Sequence, residues 1–268
     1  MNKIAFCFRT YDNLNQLAAW ERFFAEADPN LYIIKVHALN PEQVTQKLLL
    51  DHMDPYPYGR PDYARIETIR VTLKMFEHAF QVPHVYKTIN ITNSCIPLWS
   101  FSKIYEALMK NDKGYMHFNE AIKVVEDPVY LRRYNQLHDK RFVAREQWIF
   151  NKPFGLVFTK TLSDFFRAHD HLHLFSNILG AEEHYFSNTL LHHHQMHLVE
   201  NRPITRNYAI PVGVSEFNFD AILHHKLMGY LFYRKVSPHA HLDLDALYVQ
   251  TTRHMAQRTQ LKNLLGTD

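Results

Sequence analysis

The chain has 268 residues, 46% hydrophobic and 21% charged, with a formal net charge of +3, a balance that builds a core and excludes a disordered polyelectrolyte. Its lysines and arginines are dispersed rather than gathered in a stripe, which argues against nucleic acid and for a single anionic ligand. Only two cysteines, Cys7 and Cys95, are present, excluding a disulfide scaffold or a cysteine metal cage, and no apolar stretch of 18 residues occurs that could cross a membrane.

Residues 4–8 form an apolar run too short for a secretory leader and read as a first buried strand. Residues 14–27, with Leu17, Trp20, Phe23 and Phe24 at helical spacing, read as the helix after it, and residues 31–38 as the next strand. That succession opens a βαβ unit with parallel strands. Pro55, Pro57, Gly59 and Pro61 mark an exposed loop. Residues 67–80 place Ile69, Leu73, Phe76 and Phe80 on one helical face, and the helix feeds a strand that ends at Asn93, where Pro97 forbids a further ladder donor. A helix is expected over 100–109, a strand over 114–121, an irregular polar crossing over 126–145, a strand over 154–159 and a short helix from 162 to 166. Gly180 precedes a helix over 182–194, followed by strands at 209–212 and 230–233 and a closing helix over 244–265. The whole is expected to be one α/β domain spanning residues 1–268, with no internal repeat.

In open α/β sheets ligands bind beyond the carboxyl ends of the strands, so Asn93 and Ser94 line either such a cleft or an ordinary turn. Glu182 and Glu183 open a predicted helix, where exposed amides favour negative charge; they either simply complement the helix dipole or supply an ionised carboxylate fit to act as a general base. Arg206 precedes one predicted strand and Arg234 and Lys235 follow another, placing cations where a diphosphate could be neutralised, or leaving them as solvated surface charges. The Asp-x-Asp device that would hold a divalent ion is missing from the strand end at 117–121, and Asp243-Leu244-Asp245 reads as a helix start, so fixed cations are the coherent choice and no metal is expected at the reaction. Among the 19 histidines, His169-Asp170-His171-Leu172-His173 and His192-His193-His194-Gln195-Met196-His197 invite a metal, but neither block carries a partner carboxylate in a recognisable motif.

Three boxes in order carry a family likeness: Asn93-Ser94-Cys95-Ile96-Pro97-Leu98, Glu182-Glu183-His184-Tyr185 and Leu231-Phe232-Tyr233-Arg234-Lys235-Val236-Ser237-Pro238. With them the chain, from Ile4 to about Leu247, resembles the core-2/I-branching β-1,6-N-acetylglucosaminyltransferases and their branch-domain relatives, which include peptide xylosyltransferases and plant homologues. The resemblance implies a GT-A-like, Rossmann-type, mostly parallel sheet flanked by helices. It also implies inverting, metal-independent transfer of a sugar, GlcNAc favoured, from a UDP-sugar donor to a glycan acceptor, without a cofactor. It puts the base on Glu183, the diphosphate contacts on Arg206 and Lys235 with Arg234 beside them, and a sugar-site wall, or else a core position, on Trp148. Glu182 stands where the family has Asp, and the animal members' disulfides are missing, as in a cytoplasmic protein, whether free or peripheral to a membrane that carries the acceptor. Glu183, Arg206 and Lys235 are expected to face one crevice. The alternative is a non-catalytic nucleotide- or glycan-binding protein of the same fold.

Overall fold

The computed structural model describes residues 1–53, 65–119, 127–207, 219–245 and 247–248. In chain order its strands are β1 (Lys3–Thr10), β2 (Tyr32–Ala38), β3 (Val85–Thr92), β4 (Ile96–Pro97), β5 (Gly114–Met116), β6 (Val157–Thr159), β7 (Val199–Asn201), β8 (Thr205–Asn207) and β9 (Phe232–Arg234). Its α-helices are α1 (Leu17–Ala25), α2 (Lys47–Leu50), α3 (Ile66–Phe80), α4 (Phe101–Met109), α5 (Pro128–Asn135), α6 (Lys160–Ala168), α7 (Tyr185–His192) and α8 (Phe219–Leu227). The chain divides into two compact units, one of Met1–Asn13, Asp28–Asn93 and Leu108–Ile204, the other of Leu14–Ala27, Ser94–Ala107 and Thr205–Asp268.

The first unit holds a six-stranded sheet in the order β2-β1-β3-β6-β5-β7. β1 is parallel to both β2 and β3, β5 is parallel to β7, and β6 runs antiparallel between β3 and β5. The expected α/β class with a mostly parallel sheet is therefore the observed one. β1 is buried on both faces, which is why residues 4–8 read as a continuous apolar run, whereas β3, also buried along nearly its whole length, carries Lys87, Thr88, Asn90 and Thr92 into the interior. The core of this unit joins Phe76 of α3, Phe158 of β6, Phe166 of α6 and Phe186 of α7, with the Phe76 and Phe158 ring centroids 4.9 Å apart.

The second unit is built on a three-stranded sheet, β4-β9-β8, with β4 antiparallel and β8 parallel to β9. Its core includes Ala19 of α1, Ile96, Leu98, Ile222 and Tyr233. Trp20 of α1 is fully buried, stacks on Phe232 at 6.1 Å and donates its indole N–H to the Cys95 carbonyl at 2.9 Å, so one side chain supplies both apolar area and a satisfied donor.

Several expectations shift. Residues 128–135 form helix α5 where an irregular crossing was expected, because Asp127 caps it by accepting from Val129 N and Pro128 sits at the first turn, where its missing donor costs nothing. The helix expected over 182–194 is two elements: a 3₁₀ turn, Ala181–Glu183, and α7, separated at His184, whose φ of −132° is not helical. The strand expected over 154–159 forms only at 157–159, and the helix from 162 extends from 160 to 168. The strand at 209–212 and the loop at 55–61 lie outside the described residues, as does nearly all of the closing helix.

Candidate active site

Two groups of charged residues stand out, one in each unit. In the first, β1 carries Arg9 to the carboxyl end of the parallel sheet, opposite Thr92 of β3 in register. Arg9 is fixed by α3, donating to the Thr72 hydroxyl at 2.9 Å and the Thr68 carbonyl at 3.3 Å, and it pairs with Glu182 at 3.1 Å. Beside it Arg133, on the last turn of α5, forms an ion pair with Glu183 through Oε2, while Glu183 Oε1 has no hydrogen-bond partner among the described residues. The guanidinium of Arg133 lies 5.8 Å from the Tyr130 ring centroid, one turn back on the same helix. The negative charges are thus met by two arginines, not by the start of a long helix, since Glu182 and Glu183 sit in the three-residue 3₁₀ turn.

That turn is held from within. Asn151, fully buried, donates its backbone N–H to the Glu183 carbonyl at 2.7 Å and its side-chain amide to the Glu182 carbonyl at 2.9 Å, while its Oδ1 accepts from the Ser187 hydroxyl at 2.9 Å. Asn188 repeats the device one residue on, accepting from Ile149 N at 2.9 Å and donating to the Ile149 and His184 carbonyls, both at 2.7 Å. Two buried asparagines therefore lace residues 149–151 to the Glu182–Glu183 turn and to the first turn of α7. Gly180 opens the turn at φ +79°, and a Cβ there would meet the Arg133 guanidinium at 3.0 Å.

His184 lies beneath, fully buried and stacked on Trp148 with centroids 4.7 Å apart. Its Nδ1 donates to the Ile149 carbonyl at 3.1 Å. Burial lowers its pKa to about 3, opposed by that hydrogen bond and assisted by the charge of Arg133, so the ring is neutral at pH 7. Trp148, expected as a wall for a sugar, is 1% exposed; its ring lies between His184 and Phe175, and it supports the turn from below instead of facing a ligand.

The second group lies on the three-stranded sheet. The box beginning at Asn93 and the box beginning at Leu231 are antiparallel neighbours: Ile96 opposes Tyr233, Leu98 N donates to the Leu231 carbonyl at 2.9 Å, and Val236 N to the Ser94 carbonyl at 2.9 Å. Arg206 on β8 is in register with Tyr233, Arg234 is the next residue of β9, and Lys235 follows the strand. Arg206 is half-buried, with its guanidinium 5.9 Å from the Tyr230 ring centroid and its Nε buried without a hydrogen-bond partner among the described residues. Arg234 is buried, Lys235 is exposed, and the peptide between them is cis. Asn15 and Gln16 fix the chain just beyond: Asn15 donates to the Val236 carbonyl at 2.7 Å, and Gln16 to those of Ser237 at 2.7 Å and Ala240 at 2.9 Å. Ser94 is buried and Asn93 half-buried. Asp245, of the sole Asp-x-Asp in the sequence, is exposed and pairs with Arg22 at 2.7 Å.

Sequence reasoning singled out Glu183, Arg206, Arg234 and Lys235 but missed Arg9, Arg133, Asn151 and Asn188. Arg9 had a signal, a charged residue at the end of an otherwise apolar first strand. Arg133 had none, lying in a stretch expected to be irregular.

The first unit thus combines a parallel-rich α/β sheet with a carboxylate turn that two arginines and two buried asparagines hold. The chain belongs to the Core-2/I-Branching enzyme family, whose model matches residues 4–205. Enzymes of this family are glycosyltransferases, which pass a sugar from a donor to a glycan acceptor. The match takes in the Glu182–Glu183 turn and Asn93–Ser94, and ends one residue before Arg206. None of the curated proteins compared with the chain matches it. Among the described residues no helix is long and apolar enough to cross a membrane.

Proposed function

We propose that the chain is an inverting, metal-independent glycosyltransferase that moves a sugar, GlcNAc favoured, from a UDP-sugar to a hydroxyl of an acceptor glycan. The observation that carries this reading is the state of the cations: among the described residues neither Arg206 nor Lys235 has a carboxylate partner, although they share one small sheet with Arg234. Half-buried guanidinium without an anion suits a ligand that brings its own negative charge, and a departing diphosphate does so. Glu183 is the base. Its Oε1 takes the proton of the acceptor hydroxyl as that oxygen forms a bond to the anomeric carbon, while the bond from that carbon to the diphosphate oxygen breaks and its electron pair leaves with UDP. One displacement inverts the anomeric centre, and UDP needs no proton to leave, so one carboxylate is enough.

The test is transfer from a panel of UDP-sugars in the presence of EDTA, with the anomeric configuration of the product read by NMR. Turnover of UDP-GlcNAc that EDTA leaves unchanged, giving the inverted product, is expected. Loss of turnover with chelator, or a retained configuration, rejects the mechanism, and UDP affinity without turnover of any donor would leave a non-catalytic binder.

A further inference from the structure

We propose that His169, His171 and His193 form a binding site for one divalent metal ion of the zinc type, a structural clip separate from the transfer chemistry. The three imidazoles come from three segments: His169 ends α6, His171 precedes the 3₁₀ turn Leu172–Phe175, and His193 ends α7. One nitrogen from each lies within 4.8 Å of the other two. His171 Nε2 and His193 Nε2 are 2.8 Å apart, and the His169 and His193 ring centroids 4.1 Å apart. Around a tetrahedral zinc with Zn–N bonds of about 2.0–2.1 Å, ligand nitrogens stand about 3.3 Å from one another. The observed triangle brackets that spacing, and half-exposed rings reach it by small rotations.

Three further features favour a cation here. Helices α6 and α7 both end at the cluster, so the partial negative charge of two carboxyl termini falls on it. An all-imidazole set suits zinc, cobalt, nickel or copper and not magnesium or calcium, which take oxygen. His171 is braced by Phe142, edge to face at 4.9 Å, and adjacent His192 is diverted, its Nδ1 donating to the Phe142 carbonyl at 2.6 Å, so the choice of His193 over its neighbour is built in. Three protein ligands leave a fourth position for water or another small donor. The site lies at the opposite end of α7 from Glu183, about 12 Å of helix away at 1.5 Å per residue, which places it off the reacting atoms. What it does is tie the end of α7 to the end of α6, and α7 begins at the turn that carries Glu183.

The experiment uses the full chain without an affinity tag, stripped of metal and titrated with zinc and cobalt(II) by calorimetry, with thermal unfolding in parallel. Expected are one equivalent bound, a cobalt absorption band of tetrahedral intensity, and a melting temperature raised by about 5 °C at zinc 100-fold above Kd. His193→Gln and the double variant His171→Gln/His193→Gln should bind at least tenfold more weakly, whereas His197→Gln, exposed and outside the triangle, should bind as the parent does. If the wild-type chain takes up no stoichiometric metal, or the double variant takes up as much, the three rings share only a His–His hydrogen bond and the proposal fails. The wild-type titration decides this even if a variant does not fold.

Discussion

The two charged regions are built on opposite terms. Around Glu182 and Glu183 each carboxylate already has its arginine, and the backbone beneath is fixed by two fully buried asparagines. Around Arg206 and Lys235 no carboxylate answers among the described residues, and the Arg206 Nε is buried with nothing to bond. A group that must act the same way at each turnover gains from being held before substrate arrives; cations that must seize and release an anion gain from being left without one. Substitutions should therefore separate the regions, the first failing in rate and stability, the second in affinity.

The largest effect is expected for Glu183→Gln, which keeps the shape of the turn and removes the base. Transfer should fall by about 10³-fold, within the range for a positioned general base, with UDP affinity unchanged. Steady-state kinetics beside UDP calorimetry check both halves, and turnover near the parent rate would remove Glu183 from the chemistry. Asn151→Ala comes next. It strips one side-chain partner from the Glu182 carbonyl in the turn and one from the buried Ser187 hydroxyl on α7, and should lower unfolding stability by about 2–4 kcal/mol in urea. Lys235→Ala, at an exposed position, should change stability by less than about 0.5 kcal/mol. An Asn151 variant as stable as the parent would show that the turn does not depend on its clamp.

For the cation region, Arg206→Ala should weaken UDP binding by about tenfold to a hundredfold, the worth of one or two charge-assisted hydrogen bonds. Arg206→Lys should recover only part of it, since an ammonium cannot reproduce a forked contact. Equal UDP affinity in parent and Arg206→Ala would break the contrast between the two regions.

How far the sequence led follows the same physics. The first strand and the helix over 66–80 were legible because the one buries a continuous apolar run and the other a stripe at helical spacing. Strands of two or three residues, such as β4, β7 and β8, are too short to show any period. Glu183 and Lys235 were found through boxes of neighbouring residues, and Arg206 through its place just before a predicted strand. Their partners were not, because Arg9 and Glu182, or Arg133 and Glu183, meet only through the fold, at separations of 173 and 50 residues that no local pattern encodes. Trp148 was left between two readings for a related reason: a tryptophan suits a sugar platform and a core equally, and burial favours the core.

The effect most specific to the first region, and small at each step of pH, concerns His184. Its pKa is lowered from 6.5 to about 3 by burial, so the folded chain leaves the ring neutral where the unfolded chain would protonate it. Between those values the unfolded state binds the extra proton, and stability must fall as pH drops from about 6.5 toward 3, by up to about 1.4 kcal/mol per pH unit from this group. Above 6.5 both states carry the same neutral ring and the group adds no slope. The imidazole C–H resonances of His184 in the folded chain should accordingly stay fixed from pH 8 to 5. Replacing His184 by Gln should flatten the stability slope below pH 6.5 whatever it does to stability at neutral pH. A His184 resonance that moves with a midpoint near 6.5 would mean that the ring can take up a proton within the fold, and the buried neutral support beneath the Glu182–Glu183 turn would have to be abandoned.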